Sequence, residues 1–410
     1  MRKLAILLVV LVVAPALAQS EHEKELRSAL ASALVELAAF ARDKKLPDEA
    51  KAYADEALAL DASSEGAKKV KEKLVPGGAE ADKKALAKKQ DGMARKLASG
   101  FRELALLSHK KDQDAVFDGW LVRALELDLK GTGGLVESEW RASFDKGDLE
   151  RAKRLLEGAE KVKHDEKHAK VLEKISLKVM ERTPAFKTAR AHPMQYLVTL
   201  PKNWTPDKKW PILVTVEGAG NNFAGNHSAF VGARNDLPFI IVTPYTFSNT
   251  NAINKQTYKY AEDVFARVEK DGRPAFDLEG LLAVIDDVRK DYSGAEKFFI
   301  TGFSGGGNLT WSTVFAHPEL LAAASPACGN FSGTLSVSKA PEREALAVKA
   351  FQGDKDEYKE KMLDAQWQSA KEIADQSGWK DVTREIVPGV GHSACVEKVL
   401  AFFKERLEKK

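Results

Sequence analysis

Phe298-Phe299-Ile300-Thr301-Gly302-Phe303-Ser304-Gly305-Gly306-Gly307 is the stretch on which the reading of this chain turns. An apolar run rich in β-formers enters a glycine turn, and Asn308-Leu309-Thr310-Trp311 then opens a helical pattern. Gly302-Phe303-Ser304-Gly305-Gly306 fits G-x-S-x-G, the sharp strand-to-helix turn that lifts a serine hydroxyl above the end of a sheet. Glycines on both sides let strand and helix pack without Cβ clashes while the serine takes a strained backbone. The context predicts a nucleophile at Ser304.

Around this turn the chain alternates strand and helix. Residues 196–201, 211–216, 239–243, 322–325, 346–351 and 382–387 read as strands. Residues 277–292 read as an amphipathic helix with Asp277 as N-cap and Leu281, Ile285 and Val288 on one face. A helix over 396–407 closes the chain. Such alternation predicts an α/β fold with a doubly wound, mostly parallel sheet. Ligands of such sheets bind at the carboxyl ends of the strands, where the turn places Ser304.

A serine nucleophile needs a base, and the base needs an orienting acid, in the chain order serine, acid, histidine for this turn. Two histidines follow Ser304. His317 stands at a helix end before Pro318 and reads as structural or exposed. His392 lies in the loop Pro388-Gly389-Val390-Gly391-His392, between the last strand and the last helix, and is the predicted base. Phe351-Gln352-Gly353-Asp354-Lys355-Asp356 supplies two acids. A turn after Gly353 favours Asp356, with Asp354 as the alternative. For the oxyanion, one backbone donor is the Gly305 amide; the second is assigned to Ala219 in Glu217-Gly218-Ala219-Gly220-Asn221-Asn222.

These motifs, with Leu200-Pro201-Lys202-Asn203-Trp204 and Trp210-Pro211-Ile212-Leu213-Val214, resemble the α/β-hydrolase superfamily over residues 194–407. The resemblance is nearest to the dienelactone-hydrolase, polyhydroxybutyrate-depolymerase and feruloyl-esterase group. It implies a serine esterase without metal or organic cofactor, acting on an ester substrate. The chain departs from the group at Glu217, where a histidine usually precedes the oxyanion glycine. A carboxylate there either repels a developing oxyanion or ties down the loop by hydrogen bonds. A peptidase of the same fold shares the triad chemistry, and a catalytically reduced domain serving as a binding module is the other class.

Between Thr243 and Asp277 lies a long insert whose Tyr245, Phe247 and Tyr258 are expected to bind substrate as part of a lid; a surface excursion is the plainer reading.

Residues 19–183 read differently, as an all-α array rich in alanine, leucine, lysine and glutamate. Leu30, Leu34, Leu37 and Ala41 make one helical register; Ala50, Tyr53, Ala57 and Leu60 make another. Ala57-Leu58-Ala59-Leu60-Asp61 recurs as Ala124-Leu125-Glu126-Leu127-Asp128, and Ala50 and Ala57 recur 102 residues on as Ala152 and Ala159. That interval is three steps of about 34, the period of tetratricopeptide hairpins, which the array resembles in degenerate form. Gly77-Gly78 and Gly131-Thr132-Gly133-Gly134 read as loops. The array is either a docking surface for a protein partner or a solvated spacer. The composition shift at Thr183-Pro184 places a domain boundary there, so residues 184–410 form the catalytic domain.

Residues 1–18 have the layout of a secretory signal peptide: Arg2 and Lys3, an apolar run over 4–13, and Ala16-Leu17-Ala18 for cleavage. The run is shorter than the roughly 20 residues of a span, and no later stretch is apolar enough to cross a membrane. An extracytoplasmic location, periplasmic or secreted, follows. Net charge is +3, and removing Arg2 and Lys3 leaves +1, which gives no footprint for nucleic acid. The only cysteines, Cys328 and Cys395, exclude a disulfide-dense scaffold and a thiolate zinc cluster, and in an exported chain they are expected to form a disulfide.

Overall fold

The computed structural model describes residues 20–109, 113–250 and 252–408. The expected leader therefore lies outside the described residues. The chain divides into two compact units, Met1–Ser176 and Leu177–Lys410. Among the described residues, no helix is long and apolar enough to cross a membrane.

The first unit is helical: α1 (Glu21–Asp43), α2 (Pro47–Leu60), α3 (Glu65–Glu72), α4 (Glu80–His109), α5 (Asp114–Leu127), α6 (Leu129–Asp145) and α7 (Leu149–Val162), with α8 (Glu166–Val179) spanning the division after Ser176. Both registers read from the sequence are inside: Leu30, Leu34, Leu37 and Ala41 on α1, and Ala50, Tyr53, Ala57 and Leu60 on α2. Spacing of three and four residues puts each set on one helix face, and burying those faces against each other stabilises both helices. Charges drawn into this unit are paired, as where Arg151 meets Asp118 at 3.0 Å and Arg123 holds Glu56 through two nitrogens. Gly77-Gly78 is a loop, but residues 131–134 lie within the first turns of α6 and not in a loop. There Asp128 caps the Gly131 amide at 3.0 Å, and Thr132 accepts from Arg102 at 2.9 Å. Those local bonds outweigh the poor helix propensity of three glycines.

The second unit is built on eight strands: β1 (Ala185–Thr188), β2 (Gln195–Thr199), β3 (Trp210–Val216), β4 (Ile240–Pro244), β5 (Gly294–Phe303), β6 (Leu321–Ala327), β7 (Ala347–Gly353) and β8 (Asp381–Val387). They form one sheet in the order β1-β2-β4-β3-β5-β6-β7-β8. All pairs from β4 to β8 are parallel, and β1 and β2 join antiparallel at one edge. The helices are α9 (Phe223–Ala233), α10 (Glu262–Asp271), α11 (Arg273–Asp291), α12 (Gly307–Ala316), α13 (Asp364–Ser377) and α14 (Val396–Glu408).

Both faces of the sheet are covered, and neighbouring strand residues show it. Val214 and Ile300 join the core formed with Val284 and Ile285 of α11, Trp311 of α12 and Ala370 of α13. Leu213 and Phe299, one position earlier, join the opposite core with Phe230 of α9 and Phe403 of α14. Period-two alternation with both faces apolar makes the central strands continuous hydrophobic runs. The result is a doubly wound, mostly parallel sheet with Ser304 at the carboxyl end of the central strand β5.

Asp277 is not an N-cap. Arg273-Pro274 begins α11 four residues earlier, with proline in the first turn where its missing N–H costs nothing. Asp277 is fully buried inside the helix, where its carboxylate accepts from the Phe247 amide at 2.9 Å and the Ser248 amide at 2.6 Å. It anchors the insert that follows β4.

Candidate active site

Ser304 follows β5 directly and has φ +50°, a left-handed backbone that costs a β-carbon residue of order 1–3 kcal/mol. The turn around it has no room for further side chains. A Cβ on Gly302 would strike the Gly306 carbonyl, and one on Gly305 would strike the Asn249 carbonyl. The Ser304 carbonyl accepts from the Asn330 amide at 2.8 Å, which fixes the turn from the side of β6.

The acid comes from the turn after β7. Asp356 Oδ2 lies 2.8 Å from His392 Nδ1 and accepts from Gln352 Nε2 at 2.8 Å; Oδ1 accepts from the Tyr358 amide at 2.8 Å. Asp354, the alternative acid, accepts instead from the Gly389 amide at 2.7 Å and so braces the histidine loop. Burial alone would raise the Asp356 carboxyl, but hydrogen bonds from His392, the Tyr358 amide, Cys328 and Gln352 outweigh it and hold the group below its ordinary range. Burial likewise opposes the imidazolium, yet Cys328 and Asp356 lift His392 to about 9. The imidazole stands between the rings of Phe303 and Tyr358, each with its centroid 4.9 Å away. Since Phe303 immediately precedes Ser304, that contact puts histidine and serine at one end of the sheet.

The loop after β3 meets the turn from the other side. A Cβ on Gly218 would stand 3.1 Å from Ser304 Cβ, so the loop carrying Ala219 runs against the serine. Glu217, the departure noted in the sequence, is buried and accepts from the amides of Gly218 and Asn222. Burial raises its carboxyl, and those two amides only partly offset the rise. Its carboxylate thus ties the loop to itself. Asn249 adds a second tie, donating through Nδ2 to the Gly218 carbonyl at 2.8 Å and to Asn221 Oδ1 at 2.9 Å.

The insert aromatics are placed differently from a ligand-binding lid. Phe247 is fully buried and Tyr258 almost so, in a cluster with Phe223, Phe265, Val268 and Phe276. Phe247 stacks on Tyr258 at 4.5 Å, and Tyr245 stacks on Phe223 at 4.2 Å. Rings packed on each other leave Phe247 and Tyr258 no surface to offer a substrate. Tyr258 serves the loop instead, its hydroxyl reaching Asn221 Oδ1 at 3.2 Å and the Thr246 carbonyl at 2.7 Å. Cys328 and Cys395 are free, buried thiols, so the expected disulfide is not formed; Cys395 Sγ lies 3.6 Å from the Ser393 carbonyl and Cys328 Sγ 3.9 Å from the Gly391 carbonyl. His317 caps α12 and faces Glu319 at 3.1 Å, outside the site.

Gln352, Tyr358, Asn249 and Asp277 shape the site without having been read as site residues. Gln352 carried one signal, a polar residue in an otherwise apolar strand next to the acid loop. Asn249 carried none, because its partners lie 28 and 31 positions away.

Comparison with known proteins gives likeness in shape. No protein-family model matches the chain, and no curated protein matches it. Solved structures similar to it include a thermostable esterase, 21% identical over 55% of this chain and 62% of that one, with a TM-score of 0.39. The poly(3-hydroxybutyrate) depolymerase of Bordetella parapertussis is 16% identical over 54% of this chain and 90% of that one, with a TM-score of 0.39. The Bacillus cereus carboxylesterase is 16% identical over 52% and 94%, also at 0.39. Likeness at this level is silent on activity, which must be argued from the site.

Proposed function

We propose that this chain is a serine hydrolase that cleaves carboxylic esters through an acyl-enzyme on Ser304. The observation that carries the reading is the left-handed Ser304 turn at the end of β5, beside an imidazole held by Asp356 at 2.8 Å. With His392 raised to about 9, the base is the neutral form of the ring, which grows as pH rises toward that value: with Nδ1–H donated to Asp356, its lone pair is on Nε2 and takes the proton from Ser304 Oγ as that oxygen attacks the ester carbonyl. The imidazolium stays beside the carboxylate and passes its proton to the departing alcohol. Water then repeats the sequence on the acyl group and frees the serine. The Gly305 and Ala219 amides are the donors for the developing oxyanion. Glu217, engaged by the Gly218 and Asn222 amides, acts as a clamp on that loop and leaves the donor role to Ala219.

The basic-apolar-small pattern of residues 1–18 supports export of the enzyme, and the helical unit supplies either a docking surface or a spacer. A panel of short-chain, aromatic and sugar-linked esters, with matching amides, tests the reading. We expect turnover of at least one ester class, little of the amides, and a loss of roughly 10³-fold or more in Ser304→Ala. Full activity in Ser304→Ala would overturn the serine mechanism, and amides cleaved faster than esters would make the enzyme a peptidase.

A further inference from the structure

The triad accounts for Asp356 and His392 but not for the two thiols beside them. Cys328 follows β6 with φ 44° and is fully buried; Cys395 precedes α14 with φ 47° and is also buried. Cys328 Sγ, a carboxylate oxygen of Asp356 and a ring nitrogen of His392 all lie within 4.8 Å of one another. Gln352 Nε2, bonded to Asp356 at 2.8 Å, stands 3.8 Å from the same sulfur, and the Cys395 thiol is close enough to Cys328 for each to shift the other's titration. One sulfur, one imidazole nitrogen and one carboxylate oxygen therefore converge on one point, with the second thiol, Cys395, next to that set.

We propose that Cys328, Asp356 and His392, completed by Cys395, form an inhibitory binding site for a thiophilic divalent cation, with Zn²⁺ the best match. A mixed sulfur, nitrogen and oxygen set suits tetrahedral Zn²⁺, whereas Mg²⁺ and Ca²⁺ require oxygen ligands. Metal–ligand bonds of about 2.0–2.3 Å put the corners of such a tetrahedron about 3.3–3.8 Å apart. The widest separation that 4.8 Å allows must shrink by only about 1 Å, within reach of side-chain rotation. His392 is half-buried, which gives the ion a way in.

The two thiols release their protons to solvent and coordinate as thiolates. The imidazole gives its Nδ1 lone pair to the metal and keeps one proton, on Nε2; a ring that starts as imidazolium releases its Nδ1 proton to solvent. Asp356 exchanges its hydrogen bond to the ring for a metal bond. An imidazole protonated on Nε2 has no lone pair for the Ser304 proton, so the zinc form is inactive until the metal is chelated. Inhibition rests on the role proposed above for His392; the binding site itself does not.

Cobalt, a spectroscopic substitute for zinc, separates the two. The full chain, reduced with a phosphine and freed of metal, is titrated with Co²⁺. A thiolate-to-cobalt charge-transfer band saturating at one equivalent is expected in the wild type and equally in Ser304→Ala, which needs no catalysis. Zn²⁺ should bleach the band and lower ester hydrolysis about tenfold or more, reversibly on adding EDTA. The Cys328→Ala/Cys395→Ala protein should lack the band and hold its activity in Zn²⁺ close to its own value in EDTA. A wild-type protein without the band overturns the site, and so does equal zinc inhibition of the thiol variant. A band in a protein that cleaves no ester upholds the site and removes the esterase reading instead.

Discussion

Asp277 should make the catalytic unit less stable as pH rises through the mildly acidic range. The carboxyl is fully buried; desolvation pushes it up, the Phe247 and Ser248 amides and Arg273 pull it back, and it settles at about 6 against an ordinary 3.8. A group raised in the folded state binds its proton more tightly there than in the unfolded chain. Its contribution is complete below about pH 4 and is lost as pH climbs through about 6. The gap of roughly two pKa units corresponds to about 3 kcal/mol. Asp277→Asn keeps an oxygen for the two amides and removes the titration. Urea unfolding of both proteins from pH 4 to pH 7 isolates the effect, because all other carboxylates cancel in the difference. Tryptophan fluorescence reports mainly on the relevant unit, which holds Trp204, Trp210, Trp311, Trp367 and Trp379. Wild type should lose about 2 kcal/mol relative to Asp277→Asn across that interval, most of the full effect. A difference that stays flat, or that grows in favour of wild type, would refute the reasoning.

Two further substitutions probe the site directly. Gly305→Ala forces a methyl group into the Asn249 carbonyl, so the turn must shift; ester turnover should fall about 10²-fold or more while the protein still folds, as circular dichroism would show. Asp356→Asn should cost far more turnover than Asp354→Asn, because His392 bonds to the former and the Gly389 amide to the latter. Steady-state kinetics on one soluble ester decides the order, and a larger loss at Asp354 would reassign the acid.

The sheet was legible because its strands are short apolar runs punctuated by glycine and proline, as in Trp210–Val216 and Ala347–Gly353. The serine turn was legible because its glycines are a steric requirement written into five adjacent residues. What failed to show depends on partners distant in sequence. Asp277 looked like a helix cap until its acceptors proved to serve amides 29 and 30 positions earlier. Phe247 and Tyr258 looked like ligand-facing aromatics, since composition cannot distinguish a ring buried against other rings from one lining a cleft. Residues 131–134 looked like a loop because glycine content outweighs, on paper, a capping bond from Asp128.

The central claim is that Ser304 is an activated nucleophile, and covalent labelling by a fluorophosphonate measures it most directly. Such a reagent needs a serine whose proton is taken by a base; the fold alone does not suffice. On the folded full chain we predict one adduct per molecule, found by peptide mass spectrometry on Ser304, absent from Ser304→Ala and slowed about 10³-fold in His392→Ala. An intact, folded chain that takes no label, or one that takes it on a residue other than Ser304, would contradict the account.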